Sequence, residues 1–143
     1  TIIMNDRPND LIRIRPEIKK TKHFDTMSTE ERFQNNILRP ILKLQNPLLV
    51  VVFQNYIENR KGVFYDLSSS KKLIYIESAL VKDQKFRNSV KGIVLGQFTV
   101  TEYMEYTNYS SALNKRMMQM VVERIKDQVQ LFEKPQKLAA VKI

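Results

Sequence analysis

The sequence predicts an all-α fold, a compact bundle of five or six helices with an extended N-terminal arm. Three observations predict it. Turn formers are scarce: 143 residues contain three Gly and five Pro, with no Asn-Gly or Asp-Gly pair, so few hairpins can be built. Lys, Glu, Gln, Leu and Met, all good helix formers, are abundant. Apolar residues recur at intervals of three and four, the spacing of one helix face. A single domain is expected at this length, large enough to bury a core without metal or disulfide staples. Its parts are an arm over 1–27, a helical domain over 28–133 and a basic tail over 134–143.

In the arm, Pro8, Asn9 and Asp10 read as a turn, and Pro16 breaks any helix. Ile12 and Ile14 alternate with Arg13 and Arg15, which suits a short extended piece laid against the body. Lys19, Lys20, Lys22 and His23 form a small basic cluster, read as an exposed loop. Ser28 opens the domain with capping-box spacing to Glu31. Phe33, Ile37, Ile41 and Leu44 then line one helix face. Pro40 and Pro47 allow a kink with a break near Asn46, or one long bent helix; Pro47 also suits the first residue of a new helix. The longest apolar run, Leu48 to Phe53, is expected to be nearly inaccessible. Arg60, Lys61 and Gly62 make a helix end, with Gly62 free to turn left-handed.

Phe64 and Tyr65 sit in a connection folded onto the core. Ser68 to Ser70 offer caps for the next helix, whose buried stripe is Leu73, Ile76 and Leu80, widened by Ile74 and Ala79. A turn or bend falls at Val81 to Asp83. Phe86, Val90 and Ile93 mark a further helix running to about Leu95. Gly92 and Gly96 are read as letting another backbone come near, or Gly96 as a helix stop. Thr99 and Glu102 form a second capping box, opening a short helix with Tyr103, Tyr106 and Tyr109. The last helix carries Leu113, Met117, Val121, Ile125, Val129 and Phe132 on one stripe.

The net charge is +9. The excess is spread along the chain, with no basic block, so it reads as solvated helix faces before it reads as a nucleic-acid footprint. Cys is absent, which removes disulfides and Cys-containing zinc sites. Asp6 and Arg7 stand where a signal peptide needs an apolar core. The apolar run is too short to span a bilayer. The expectation is a soluble, cytoplasmic protein.

Candidate chemistry is sparse. One His cannot supply the Glu-x-x-His pairs of a di-metal bundle, so no metal ligand and no cofactor are assigned. Glu102 and Glu105 share a helix face, but the first turns of a helix favour Glu in any case. Neither phosphate-loop fingerprint can be written with the Gly present. Residues 90–106 have a helix-turn-helix outline, yet the second helix carries Glu102 and Glu105, which repel phosphate. A broader basic patch is available from Lys71, Lys72, Lys82, Lys85, Arg87 and Lys91. A ligand pocket between helices is available from Arg87, Tyr103, Tyr106 and Asn114.

Four stretches are similar to a group of small, largely uncharacterised bacterial helical proteins. They are Leu38-Arg39-Pro40-Ile41-Leu42-Lys43-Leu44-Gln45, Lys85-Phe86-Arg87-Asn88, Gly96-Gln97-Phe98-Thr99 and Ser111-Ala112-Leu113-Asn114-Lys115-Arg116-Met117. The resemblance covers about residues 30–132. Some members carry a glyoxalase-type label. The vicinal-oxygen-chelate glyoxalases are βαβββ proteins with His and Glu metal ligands, so the resemblance implies a family and carries over no site residue.

The leading functional expectation is a non-enzymatic helical protein acting through protein–protein contact, with self-association through the broad apolar face of 113–132. The alternatives are a nucleic-acid-associated basic protein, and a small-ligand protein or enzyme with an interhelical pocket.

Overall fold

Six helical rods enclose one core, in a computed structural model that describes residues 6–18 and 27–135. Among the described residues there is no strand, as the sequence predicts. The cluster Lys19, Lys20, Lys22 and His23 and the tail residues 137–143 lie outside the described residues.

The arm corrects its expectation. Arg7–Arg13 is an α-helix, α1, with Pro8 in its first turn. Proline at that position loses no intrahelical bond and has the right φ, so Pro8 starts the helix. Arg13 pairs with Asp10 one turn back at 3.1 Å. The Ile-Arg alternation spans four residues, too few to impose a strand. Ile12 and Ile14 are exposed.

The central rod is α2 (Thr29–Phe33), a π turn over Gln34–Leu38, and α3 (Arg39–Asn59). Ser28 Oγ accepts the Glu31 N–H at 3.2 Å. Pro40 has no N–H for the preceding turn and crowds its carbonyl. The chain widens there: the Arg39 N–H bonds Gln34 O, five residues back. Pro47 lies inside α3 without ending it. Of the alternatives read at the two prolines, the continuous rod is the one formed.

The run Leu48 to Phe53 is a second correction. Leu49 and Phe53 are buried, whereas Leu48 and Val51 are 47% and 64% exposed. Six residues wind more than one and a half turns, so a run on one helix must face every side, and α3 is covered on one. The fold class stands, because every regular element among the described residues is helical and Leu49 and Phe53 still reach the core. α3 ends in two hydrogen bonds, Gly62 N–H to Ile57 O and Lys61 N–H to Glu58 O. This is the Schellman pattern. Both Lys61 and Gly62 are left-handed, at φ 62° and 64°, so the reversal begins one residue before the expected Gly62.

A 3-10 turn at Val63–Asp66 buries Phe64. α4 (Ser69–Val81) is capped by Ser68 and buries Ile76, Ala79 and Leu80. Leu73 and Ile74 are exposed, against expectation. They lie beyond the face that meets α5 and α7. Asp83 caps α5 (Gln84–Leu95) through the Phe86 N–H. Gly92 faces open space and Gly96 only the carbonyls of Gly92 and Ile93 in its own helix, so the pair serves no close approach of another backbone. The Thr99–Glu102 capping box forms in both directions and starts α6 (Val100–Thr107). α7 (Ser110–Asp127) buries Leu113, Met117, Met118, Val121, Val122 and Ile125, and a 3-10 turn at Val129–Leu131 delivers Phe132 to the core. Most of the apolar face of 113–132 therefore lies inside the fold, while Leu131 is 52% exposed.

Candidate functional site

A solvent-accessible cleft of about 960 Å³ opens between the π turn and α7. One wall is the outer face of α7. Ala112, Lys115, Arg116, Gln119, Glu123 and Asp127 return every three or four residues, as neighbours on a helix do. The facing wall is Gln34 and Arg39. In a regular α-helix, residues five apart point about 140° away from each other. The π turn closes its bonds five residues apart, so it stacks Gln34 and Arg39 toward the same opening. Pro40 thus shapes the wall as well as the helix.

The cleft is cationic at its inner end. Arg39 and Arg124 are half-buried and face each other's charge. Burial lowers the proton affinity of Arg124, and the Arg39 charge lowers it further. A guanidinium stays charged even so. Neither arginine has an ion-pair or hydrogen-bond partner for its side chain among the described residues. Arg116 Nη1 reaches across to Gln34 Oε1 at 2.7 Å and ties the walls together. At the base, Asn46 and Gln128 exchange two amide hydrogen bonds of 2.8 Å, locking α3 to the end of α7. Met120 adds apolar lining. Glu123 and Asp127 stand on the exposed side.

A smaller cavity of about 390 Å³ lies by Tyr56, Arg60, Tyr75, Lys82 and Asp83. Asp83 Oδ2 accepts from the Tyr56 hydroxyl and from Arg60, both at 2.9 Å. Arg60 also lies 3.5 Å from the Tyr56 ring centroid. Burial, then the bond to Asp83, pushes the Tyr56 hydroxyl up to about 12. Asp83 is held below its ordinary value, first by the Phe86 N–H and then by the Tyr56 hydroxyl. These bonds brace the α4–α5 corner against α3, a structural task that already occupies the Asp83 carboxylate.

Of the four residues expected to line a pocket, Arg87, Tyr103, Tyr106 and Asn114, three come together. The Tyr106 hydroxyl donates to Asn114 Oδ1, and the Tyr103 and Tyr106 rings lie 5.6 Å apart. Tyr106 is buried and Tyr103 half exposed. Arg87 stands on α5 with no side-chain partner among the described residues.

The expected basic patch is divided. Lys71 and Lys72 begin α4 and Lys82 follows its end, about 15 Å along the axis. Lys72 rests 5.4 Å from the Phe64 ring centroid. Arg87 and Lys91 share one face of α5, whereas Lys85 lies about 200° around from Arg87. Among the described residues no three His, Asp or Glu come together as metal ligands, and no helix is long and apolar enough to cross a membrane.

Sequence reasoning missed Arg39, Arg116 and Arg124. The polar face of α7 was legible in its spacing. The approach of Arg39 to Arg124, across the sequence and through a π turn, left no local signal. No protein-family model, no curated protein and no solved structure matches this chain.

Proposed function

We propose that this chain is a helical ligand-binding protein that takes an anionic ligand in the cleft between the π turn and α7. One observation carries the reading: two half-buried guanidiniums, Arg39 and Arg124, face each other's charge with no acidic partner among the described residues. Charges withdrawn from water are ordinarily paired. An oxyanion supplies the missing acceptors, and arginine forks suit it. The reading assigns binding and no reaction. It places the interhelical ligand site away from Arg87, Tyr103, Tyr106 and Asn114. The resemblance to small bacterial helical proteins contributes no residue to it.

A thermal-shift titration with small oxyanions at low salt tests the proposal. Binding to the native state alone stabilises it by about 2.7 kcal/mol at a hundred times Kd. Arg124→Gln should abolish the shift. If no oxyanion raises the melting temperature at millimolar concentration, the reading fails.

A second reading, self-association, keeps one specific observation. Leu48 and Val51 are exposed three residues apart on α3, and apolar exposure on one face favours a contact. Light scattering over a hundredfold concentration range tests it: a rising mass that Val51→Lys suppresses supports it, and a constant monomer mass removes it.

A further inference from the structure

We infer that the ligand of the cleft is a small organic phosphate monoester, bound as its dianion, and neither a carboxylate nor a nucleic-acid strand. The inference rests on the anion-binding reading above and narrows it to one chemistry.

Two guanidinium forks, those of Arg39 and Arg124, line the cleft. They enter from different helices, on opposite walls. A carboxylate offers two oxygens, which one guanidinium already engages in bidentate fashion. A phosphate monoester offers three terminal oxygens and nearly two charges near neutrality, enough for two guanidiniums at once. Arg116, held by Gln34 at 2.7 Å, lines the same cleft about 12 Å along α7 from Arg124. At about 960 Å³ the cleft is at the upper end of the range for small-molecule sites. A bare inorganic ion leaves most of it empty, and the Met120 and Ala112 lining suits an organic remainder.

Charge is unevenly distributed along α7. Lys115 and Arg116 stand toward one end, and Glu123, Arg124 and Asp127 toward the other. A nucleic-acid strand laid along this face would bring successive phosphates against both carboxylates, an unfavourable match. A single phosphate seated on the half-buried Arg39 and Arg124 lies inward of Glu123 and Asp127, which are exposed. The carboxylates then face the organic part of the ligand, where a hydroxyl or amino group can donate to them.

The test is calorimetric titration of the full chain at low salt with four probes. They are O-phosphoethanolamine, its carboxylate counterpart β-alanine, inorganic phosphate and a short single-stranded oligonucleotide. The expected result is that O-phosphoethanolamine binds at least tenfold more tightly than each of the others. Its affinity should rise as pH increases through about 6, where the dianion forms. The side chains facing the cleft, Arg39, Lys115, Arg116, Arg124, Glu123 and Asp127, include no His. Arg39→Gln and Arg124→Gln should each weaken O-phosphoethanolamine at least tenfold. The free Arg124→Gln protein should melt no lower than the wild type, because its loss relieves a repulsion. Should that variant misfold, Lys115→Gln at the exposed rim provides the same comparison with a smaller expected loss.

Equal affinity for β-alanine, or a flat pH profile, overturns the phosphate assignment and leaves the anion-binding reading standing. Tightest binding of the oligonucleotide or of inorganic phosphate also overturns it. Binding of none of the four removes the anion-binding reading with it.

Discussion

Lys61 shows how a single backbone conformation can be improved. It occupies the left-handed region at φ 62°, where a Cβ meets the following carbonyl and costs about 1–2 kcal/mol. Its N–H serves the Glu58 carbonyl in the helix-ending pattern, so the residue cannot relax without losing that bond. Glycine is the usual occupant of such a position. Lys61→Gly should therefore stabilise the protein, by about 0.5–1 kcal/mol after the added freedom of the unfolded chain is counted. Urea melting reads this directly, and a loss of stability would mean that the Lys61 side chain contributes more than its backbone strain costs. Gly62 needs its own glycine: a Cβ there would meet the Tyr65 ring at 3.1 Å.

At the scale of elements, the arm is held by Arg15. Its guanidinium gives two bonds to Glu102, at 2.7 and 2.6 Å, and one to Gln97 O at 2.9 Å. Glu102 also accepts the Thr99 N–H at 2.8 Å, so one carboxylate closes the α6 cap and fastens α1. The pair is nearly enclosed, with side chains 8% and 13% exposed. Removing one partner of an enclosed pair leaves an uncompensated charge, at a cost of about 3–5 kcal/mol. Arg15→Met should lose stability on that order. Burial opposes ionisation of Glu102 most strongly, but the bonds from Arg15 and Thr99 outweigh it and hold the carboxyl below its ordinary value. The unfolded chain then binds more protons than the folded one as pH falls below the unfolded value of about 4.3. The stabilisation from Glu102 is present above that value and is lost as pH falls through the lower folded value. Urea midpoints measured from pH 7 to pH 3 should fall less steeply for Arg15→Met than for the wild type. Parallel curves would show that Glu102 does not carry the acid sensitivity.

For the whole molecule, Phe53 is the point where the helices meet. Its ring lies 5.0 Å from Phe132, 6.1 Å from Phe64, 6.2 Å from Phe86 and 6.4 Å from Tyr75. These partners come from α4, α5, a 3-10 turn and the segment after α7, so one side chain joins elements distant in sequence. Phe53→Ala should cost about 3–5 kcal/mol. That is a large part of the 5–15 kcal/mol typical of a domain. The expected signs are one cooperative transition at a much lower midpoint and a weakened near-ultraviolet circular dichroism signal. Val51→Ala, two residues away on the exposed side, should change stability by less than about 0.5 kcal/mol. A comparable loss from both would contradict the one-sided burial of α3.

The helical class, most of the helix ends and the caps at Ser28, Ser68 and Thr99 were legible in the sequence. They depend on interactions within a few residues, and a local pattern records them. The stripe of α7 was legible for the same reason: periodicity states which residues share a face. It does not state what covers that face. The partial exposure of Leu48 to Phe53 and the burial of Leu113, Met117, Val121 and Ile125 were decided by which helices pack against α3 and α7. The arm was misread because Pro8 can end a helix or begin one, and Arg15 reaches its partner across 87 positions. The candidate site depended most on tertiary structure. Arg39 reaches the cleft only because the chain widens ahead of Pro40, and Arg124 faces it only because α7 packs against that turn. The residue types that favour helix were written in the chain; the approach of Arg39 to Arg124 across it had to await the fold.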